Sequence, residues 1–384
     1  MIPRQAESML RQLAKGYPAV AITGPRQSGK TTLARAVYQG KPYLSLENPD
    51  LREQAKTDPR AFLAGCREGA IIDEVQRCPE LFSYLQEVLD SSRDCGRFVL
   101  TGSQQFGLRA GITQSLAGRV GVVELLPFSQ EEIADVMDVS PWQCICKGFY
   151  PPLFDRQLDP SQWQSGYIQT YLERDVRQLS QVHNLDLFQR FLRLCAGRSG
   201  QILNQSTLAA DAGVSAPTAN AWLSILQASY VIFLLPPFHS NFNKRLVKSP
   251  KLYFHDTGIA CNLLGIRTAA DLELSPFRGP LFENLVVAEM LKRQLNQGRP
   301  ANLYYWRDNH GHEIDLLVPQ GSGWMPVEIK SGQTIVKDWL PSLKKWQALA
   351  GEIAVAPLLV YAGNRQTQML DVRITPWNKL PAVE

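Results

Sequence analysis

Apolar residues along this chain come in short bursts at two spacings. In the first third, Pro18 to Thr23, Gly69 to Val75, Arg97 to Ser103 and Arg119 to Leu126 are strand-length runs bounded by glycine or polar residues. Unbroken runs of this length mark strands buried on both faces. Thr32 to Val37 has helical spacing instead. Strands alternating with helices predict a parallel sheet with ligands at the C-terminal ends of its strands.

The pattern changes beyond the proline-rich break at Tyr150 to Pro152. Ile168, Tyr171, Leu172 and Val176 form one stripe of an amphipathic helix over Tyr167 to Val176, with Glu173, Arg174, Asp175 and Arg177 as its polar face or as an interface to the N-terminal third. Leu208 to Leu226 has the cadence of a helix, a turn centred on Gly213, Ser215 as N-cap and a second helix. The strand-like Tyr230 to Leu235 and Lys251 to Phe254 complete a winged-helix pattern. Further on, Tyr304 to Val318 and Met325 to Lys330 read as the two strands of a hairpin. Period two puts Glu328 and Lys330 on one face. Asp315 lies in the first strand, and a helix over Leu281 to Met290 brings Glu283 to the same place.

Composition narrows the class. With 384 residues, 45 % of them hydrophobic, the chain can bury sizeable cores. The longest apolar run, Tyr230 to Phe238, is strand-sized and short of the roughly 20 residues a membrane span needs. A cytoplasmic, non-membrane protein is expected. The seven cysteines are odd in number and scattered, which fits reduced thiols. Cys144 and Cys146 lack the second ligand pair that a zinc site requires. The net charge of +4 is compatible with nucleic acid without demanding it.

The strongest chemical signal is Gly24-Pro-Arg-Gln-Ser-Gly-Lys-Thr31, which fits GxxxxGK[ST] and sits between a strand and a helix as that pattern requires. A glycine-rich turn there aims backbone N–H groups at phosphate, at the positive end of the helix dipole. The candidate nucleotide-binding residues are Gly24, Pro25, Arg26, Gln27, Ser28, Gly29, Lys30, Thr31 and Thr32, with Ser103 as a sensor of the γ-phosphate. Lys30 would reach the β- and γ-phosphates and the Thr31 hydroxyl would ligate Mg²⁺. At the end of the second run, Asp73 is placed to hold the metal's water shell and Glu74 to polarise the attacking water.

These residues, with LTGS, LAGRV, YLERDV, FENLVVAEM, EIDLL and VEIKSG further along, resemble the AAA-type P-loop ATPases. The resemblance is closest to a family of uncharacterised prokaryotic members that carry a C-terminal domain of unassigned role. It covers nearly the whole chain. It implies ATP and Mg²⁺ as ligands, a homo-oligomer, and an arginine finger, for which Arg119 is the first candidate by position and Arg109 the second. A solvated basic residue is the other reading of each.

The C-terminal pattern resembles the PD-(D/E)xK nucleases. That implies Glu283, Asp315 and Glu328 as candidate Mg²⁺ ligands and Lys330 as the residue that orients or activates water. A salt-bridged strand pair used for docking is the other reading, and His310 and His312 are read as turn residues.

The expected fold is therefore α/β: a P-loop parallel sheet with flanking helices over 1–128, a helical lid and linker over 129–186, a winged-helix module over 187–263 and a restriction-endonuclease-like domain over 264–384. DNA is the expected partner, yet no Lys or Arg lies between Val214 and Tyr230 to read bases. Lys244, Arg245, Lys248 and Lys251 in the wing are left to hold phosphates, unless they belong to a solvated loop. Three functions follow: an ATPase acting on DNA, an ATP-gated nuclease, or a nucleotide-switched module with a protein client.

Overall fold

The computed structural model describes residues 2–91, 94–103, 111–112, 115–137, 139–156, 158–172, 184–238, 248–308 and 310–381. It divides into two compact units. The first comprises residues 1–128 with 228–230 and 295–299, and the second comprises 129–227, 231–294 and 300–384.

The first unit holds α1 (Ala6–Gly16), β1 (Ala19–Thr23), α2 (Lys30–Val37), β2 (Tyr43–Ser45), α3 (Pro49–Thr57), α4 (Pro59–Ala64), β3 (Ile71–Asp73), α5 (Leu81–Asp90), β4 (Phe98–Gly102) and β5 (Val120–Glu124). Its five strands form one parallel sheet in the order β2-β3-β4-β1-β5. The apolar runs are unbroken because both faces of the sheet are covered. Val20 and Ile22 of β1 pack into one core with Leu10, Leu33 and Val123. Ala19 and Ala21 point the other way, into a second core with Phe82, Leu85 and Leu100. Because all strands run the same way, the C-terminal ends of β1, β3 and β4 open on one edge, where a ligand is expected. The short β2 was not marked by any apolar run, since all three of its residues are only half-buried.

The second unit begins with α6 (Pro141–Lys147), α7 (Pro152–Asp155) and α8 (Pro160–Tyr167). The amphipathic helix expected over 167–176 is described only in part: α8 ends at Tyr167 and a π-helical turn spans Ile168–Leu172. Glu173, Arg174, Asp175 and Arg177 lie outside the described residues. Next come α9 (Leu185–Ala196), α10 (Gln205–Ala212) and α11 (Ala216–Ala228), then β6 (Ile232–Leu235) and β7 (Lys251–Phe254) as an antiparallel pair. Asn184 and Asn204 cap α9 and α10, and Gly213 takes φ +76° to end α10. Phe188 and Phe191 of α9 meet Trp222 of α11 edge-on at 5.3 and 5.2 Å, which locks the two helices together.

The rest is α12 (Thr257–Leu263), α13 (Ala269–Leu274), α14 (Arg278–Asn296), β8 (Tyr304–Arg307), β9 (Glu313–Gln320), β10 (Gly323–Lys330), α15 (Pro341–Ala350), β11 (Leu358–Tyr361), β12 (Thr367–Met369) and β13 (Val372–Pro376). They build a mixed sheet, β12-β13-β11-β10-β9-β8, with Trp306, Leu317, Leu343, Trp346 and Leu359 in its core. The stretch 304–318 is two strands, where a single one was expected. Asp308 breaks it by accepting from the backbone N–H groups of His310 and His312, each at 2.9 Å, and Gly311 takes φ +84°. Both histidines therefore sit at a turn, and the hairpin becomes a three-stranded meander. Among the described residues no helix is long and apolar enough to cross a membrane.

Candidate functional site

The loop between β1 and α2 holds the first group of expected residues together. Gly24 leaves the sheet at φ +146°, and a Cβ there would stand 2.1 Å from the carbonyl oxygen of Leu125, so the close approach admits only glycine. Gly29 takes φ +92° and passes the chain into α2 at Lys30. The Lys30 ammonium is buried and donates to the carbonyls of Gly24 at 3.0 Å and Pro25 at 2.6 Å, arching the loop. Ser28 Oγ is buried inside the arch with no hydrogen-bond partner among the described residues. From outside, Arg4 donates to the carbonyls of Ser28 at 2.7 Å and Leu126 at 2.6 Å.

Asp73 faces this loop from the end of β3. Its Oδ1 accepts from the Thr31 hydroxyl at 3.0 Å and from the Thr101 hydroxyl, and its Oδ2 accepts from Tyr43 at 2.7 Å. Burial, and then the Asp73 carboxylate, push the Tyr43 phenol up to about 12, so Tyr43 remains a donor. Glu74 follows in the left-handed region at φ 54°, ψ 43°, and its carboxylate accepts from Ser103 at 3.0 Å and from Gln76. The hydroxyl and carboxylate of Thr31 and Asp73 are hard oxygen donors of the type Mg²⁺ selects, so the residues present fit that ion beside a phosphate. Sequence reasoning did not find Tyr43, which belongs to no motif; Thr101, at the end of an apolar run in LTGS, reads there only as a candidate sensor beside Ser103, and the structure sets its hydroxyl against Asp73.

Arg119 is placed elsewhere. It precedes Val120, at the end of β5 opposite to the loop, and forms a two-point ion pair with Asp90, at 2.6 and 2.9 Å. The pair raises the guanidinium and lowers the carboxyl. Arg109 lies outside the described residues.

The second unit gathers Glu283 from α14, Asp315 from β9, and Glu328 and Lys330 from β10. Lys330 Nζ meets Glu328 at 2.5 Å, and Asp315 Oδ2 accepts from the Ile329 N–H at 2.8 Å. A further lysine stands among them. Lys251 of β7 is 2 % exposed and pairs with Glu283 at 2.9 Å and Glu313 at 2.5 Å. This corrects the reading of Lys251 as a phosphate-holding wing residue: the side chain turns inward to meet acids that are distant in sequence. Lys248 is exposed, and Lys244 and Arg245 lie outside the described residues.

Burial raises Glu283 to about 7, against Lys251 and with the help of Asp315. Burial and then Asp315 raise Glu328 to about 8, against Lys330. Burial pulls both lysines down, but the surrounding acidic groups outweigh it and hold both above their ordinary value. Among the described residues no three His, Cys, Asp or Glu side chains form a group that could hold a metal ion. As placed, the three expected carboxylates face lysines and a backbone N–H, and do not fit a metal.

Two proteins, one from Mycobacterium tuberculosis (strain H37Rv) and one from Mycobacterium bovis, both described as uncharacterized, are each 34 % identical to this chain over 374 residues, covering 96 % of it and 82 % of their own length. The chain belongs to their family. Within this family member, residues 16–134 match the model of an AAA domain, 140–270 a domain of unknown function (DUF8612) and 278–380 a second one (DUF4143). The loop between β1 and α2 thus lies in an AAA domain of the P-loop type.

Among solved structures, the family member is similar to a Walker-type ATPase of Pyrococcus abyssi, at 18 % identity and a TM-score of 0.45 over 68 % of this chain and 96 % of that one. It is also similar to RuvB of Thermotoga maritima (19 %, TM-score 0.30, 60 % and 89 %) and to AMPPCP-bound DnaA of Aquifex aeolicus (13 %, TM-score 0.30, 58 % and 85 %).

Proposed function

We propose that this protein binds and hydrolyses ATP with Mg²⁺ in its AAA domain and works on DNA as a homo-oligomer. The observation that carries the reading is the Thr31 hydroxyl held 3.0 Å from the Asp73 carboxylate at the head of a loop that Lys30 closes. Bound Mg²⁺ supplies charge neutralisation on the β- and γ-phosphates. Lys30 exchanges the carbonyls of Gly24 and Pro25 for phosphate oxygens. Glu74 orients and deprotonates the attacking water, and Ser103, which now donates to Glu74, reports the γ-phosphate. A left-handed non-glycine residue costs about 1–3 kcal/mol and persists where its surroundings require it, which supports a working role for Glu74.

DNA is the proposed substrate because α10, the Gly213 turn and α11, followed by the β6–β7 pair, read as a winged helix. With no Lys or Arg from 215 to 229, contact would run through phosphates and not through base edges. Arg119 remains the finger proposed for a neighbouring subunit, which would have to draw it from Asp90. The mixed sheet with α14 reads as nuclease-like in outline.

The test is steady-state ATP hydrolysis with and without single-stranded, duplex and branched DNA, with Lys30→Ala as blank. Hydrolysis that the variant abolishes and one DNA form stimulates is expected. Undiminished turnover in Lys30→Ala would refute the site. Turnover indifferent to every DNA would favour a nucleotide-switched module with a protein client, a reading that the lack of basic residues on α11 also supports.

A further inference from the structure

The lysine among the C-terminal carboxylates is held there by construction. β7 is clamped to α14 through Asn284, the residue after Glu283. Asn284 is fully buried, its Nδ2 donates to the Phe254 carbonyl at 2.7 Å, and its Oδ1 accepts from the Phe254 N–H at 2.8 Å and the Ser199 hydroxyl at 2.6 Å. Along the same edge, β7 is joined by the 199–203 segment, whose Leu203 N–H donates to the Pro250 carbonyl at 2.8 Å and whose Gly200 N–H donates to the Leu252 carbonyl at 2.8 Å, while β6 pairs with the opposite edge. These contacts fix the register of β7 against α14 and leave Lys251 nowhere to go but between Glu283 and Glu313. Tyr253, two residues on and so on the same face, also donates to Glu283 Oε1.

Charge completes the picture. Four carboxylates, Glu283, Glu313, Asp315 and Glu328, are met by three cations: Lys251, Lys330 and Arg307, the last 3.1 Å from Glu313. Glu283 Oε1 is taken twice, Glu328 Oε1 is taken by Lys330, and Asp315 Oδ2 is taken by backbone. A divalent cation needs several free hard oxygens at one point. Here a buried ammonium already stands beside them, and a second cation at that distance is repelled.

We propose that Lys251 is the resident cation of this site, taking the place a divalent metal would hold, and that the C-terminal domain is a lysine-neutralised domain that does not cleave phosphodiesters. The proposal narrows the nuclease-like reading above. It does not depend on ATP hydrolysis by the AAA domain, which the Lys30→Ala assay tests separately.

The experiment is Mn²⁺ binding to the nucleotide-free full chain, followed by electron paramagnetic resonance, with Asp315→Asn identifying any binding at this site. Wild type and Asp315→Asn should bind Mn²⁺ alike, and neither should cut plasmid DNA in Mn²⁺. Lys251→Met, which removes the ammonium while keeping much of its bulk, should gain Mn²⁺ affinity by at least about tenfold, and the gain should disappear in the Lys251→Met/Asp315→Asn double variant. Lys251→Arg, which keeps the charge, should not gain it. Wild-type Mn²⁺ binding or DNA cutting that Asp315→Asn abolishes would overturn the proposal. So would a folded Lys251→Met with no gain. Should Lys251→Met fail to fold, the comparison of wild type with Asp315→Asn decides alone.

Discussion

Gly24→Ala puts the geometry of the loop to a quantitative test. The added Cβ would lie 2.1 Å from the Leu125 carbonyl oxygen and 3.0 Å from its carbon, with backbone at both contacts. An ordinary contact of this kind needs about 3.4 Å, so β1 and the end of β5 must part by more than about 1 Å. The bond from the Leu125 N–H to the Thr23 carbonyl, 2.8 Å long, lies at that point and would break. Leaving its two buried groups unpaired costs about 1–3 kcal/mol, and forcing alanine to φ +146° adds about 1 kcal/mol or more. The expected loss is about 2–4 kcal/mol for the first unit. Because Lys30 donates to the Gly24 carbonyl, the shift should also weaken nucleotide binding, by about tenfold to a hundredfold if 1.4–2.7 kcal/mol of the strain is relieved only in the free loop. Gly40→Ala is the control: φ there is +92°, but nothing lies within 4 Å of the new Cβ, so it carries backbone strain without the collision. Urea unfolding, with the first unit's transition followed separately, and titration with a fluorescent ATP analogue read both effects. Gly24→Ala no less stable than Gly40→Ala, with unchanged affinity, would refute the reasoning.

Two further outcomes are expected. Asn284→Ala should destabilise the second unit by about 2–4 kcal/mol, since it strips partners from the buried N–H and carbonyl of Phe254 at once; a melting temperature within error of wild type would show that β7 is not clamped by it. Stability of the second unit should also fall as pH rises from 6.5 to 8. Glu328 is raised from 4.5 to about 8, so its contribution is full below about 4.5 and is lost through pH 8, which amounts to about 2 kcal/mol over this window. Glu283, raised to about 7, acts in the same sense, whereas His255, pushed down to about 3 by burial, changes only below about 6.5. Thermal melts of wild type and Glu328→Gln across the window check this, and equal slopes in the two would count against it.

The AAA domain was largely legible in the sequence because its chemistry is local. Eight consecutive residues carry the motif at the loop between β1 and α2, and Asp73, which faces it, ends an apolar run whose burial made the strand visible. Tyr43 was not legible, and Thr101 was legible as a polar run end but not as a partner of Asp73, since both reach that carboxylate only after β2, β3 and β4 lie side by side, and β2 has three half-buried residues to announce it. Arg119 shows the limit of position as a guide: it stands at the edge of the sheet in the sequence pattern, but at the end where Asp90 waits for it.

The second unit was legible as elements and misread as chemistry, and Lys251 shows why. In the sequence it shares a stretch with Lys244, Arg245 and Lys248, and four cations in eight residues read as a phosphate-facing loop. Strand period two decides otherwise. Lys251 and Tyr253 point to one face of β7 and Leu252 to the other, and the face carrying Lys251 is the one α14 presents with Glu283. A basic residue that opens a buried strand is thus a different object from one in the loop before it, because its charge must find a partner inside the fold. The same rule bears on Glu283, Asp315 and Glu328. Acids in a nuclease-shaped pattern predict a metal only while nothing else in the chain neutralises them, and that condition is set by a residue more than thirty positions upstream of the first of them, which no motif spanning 283–330 contains.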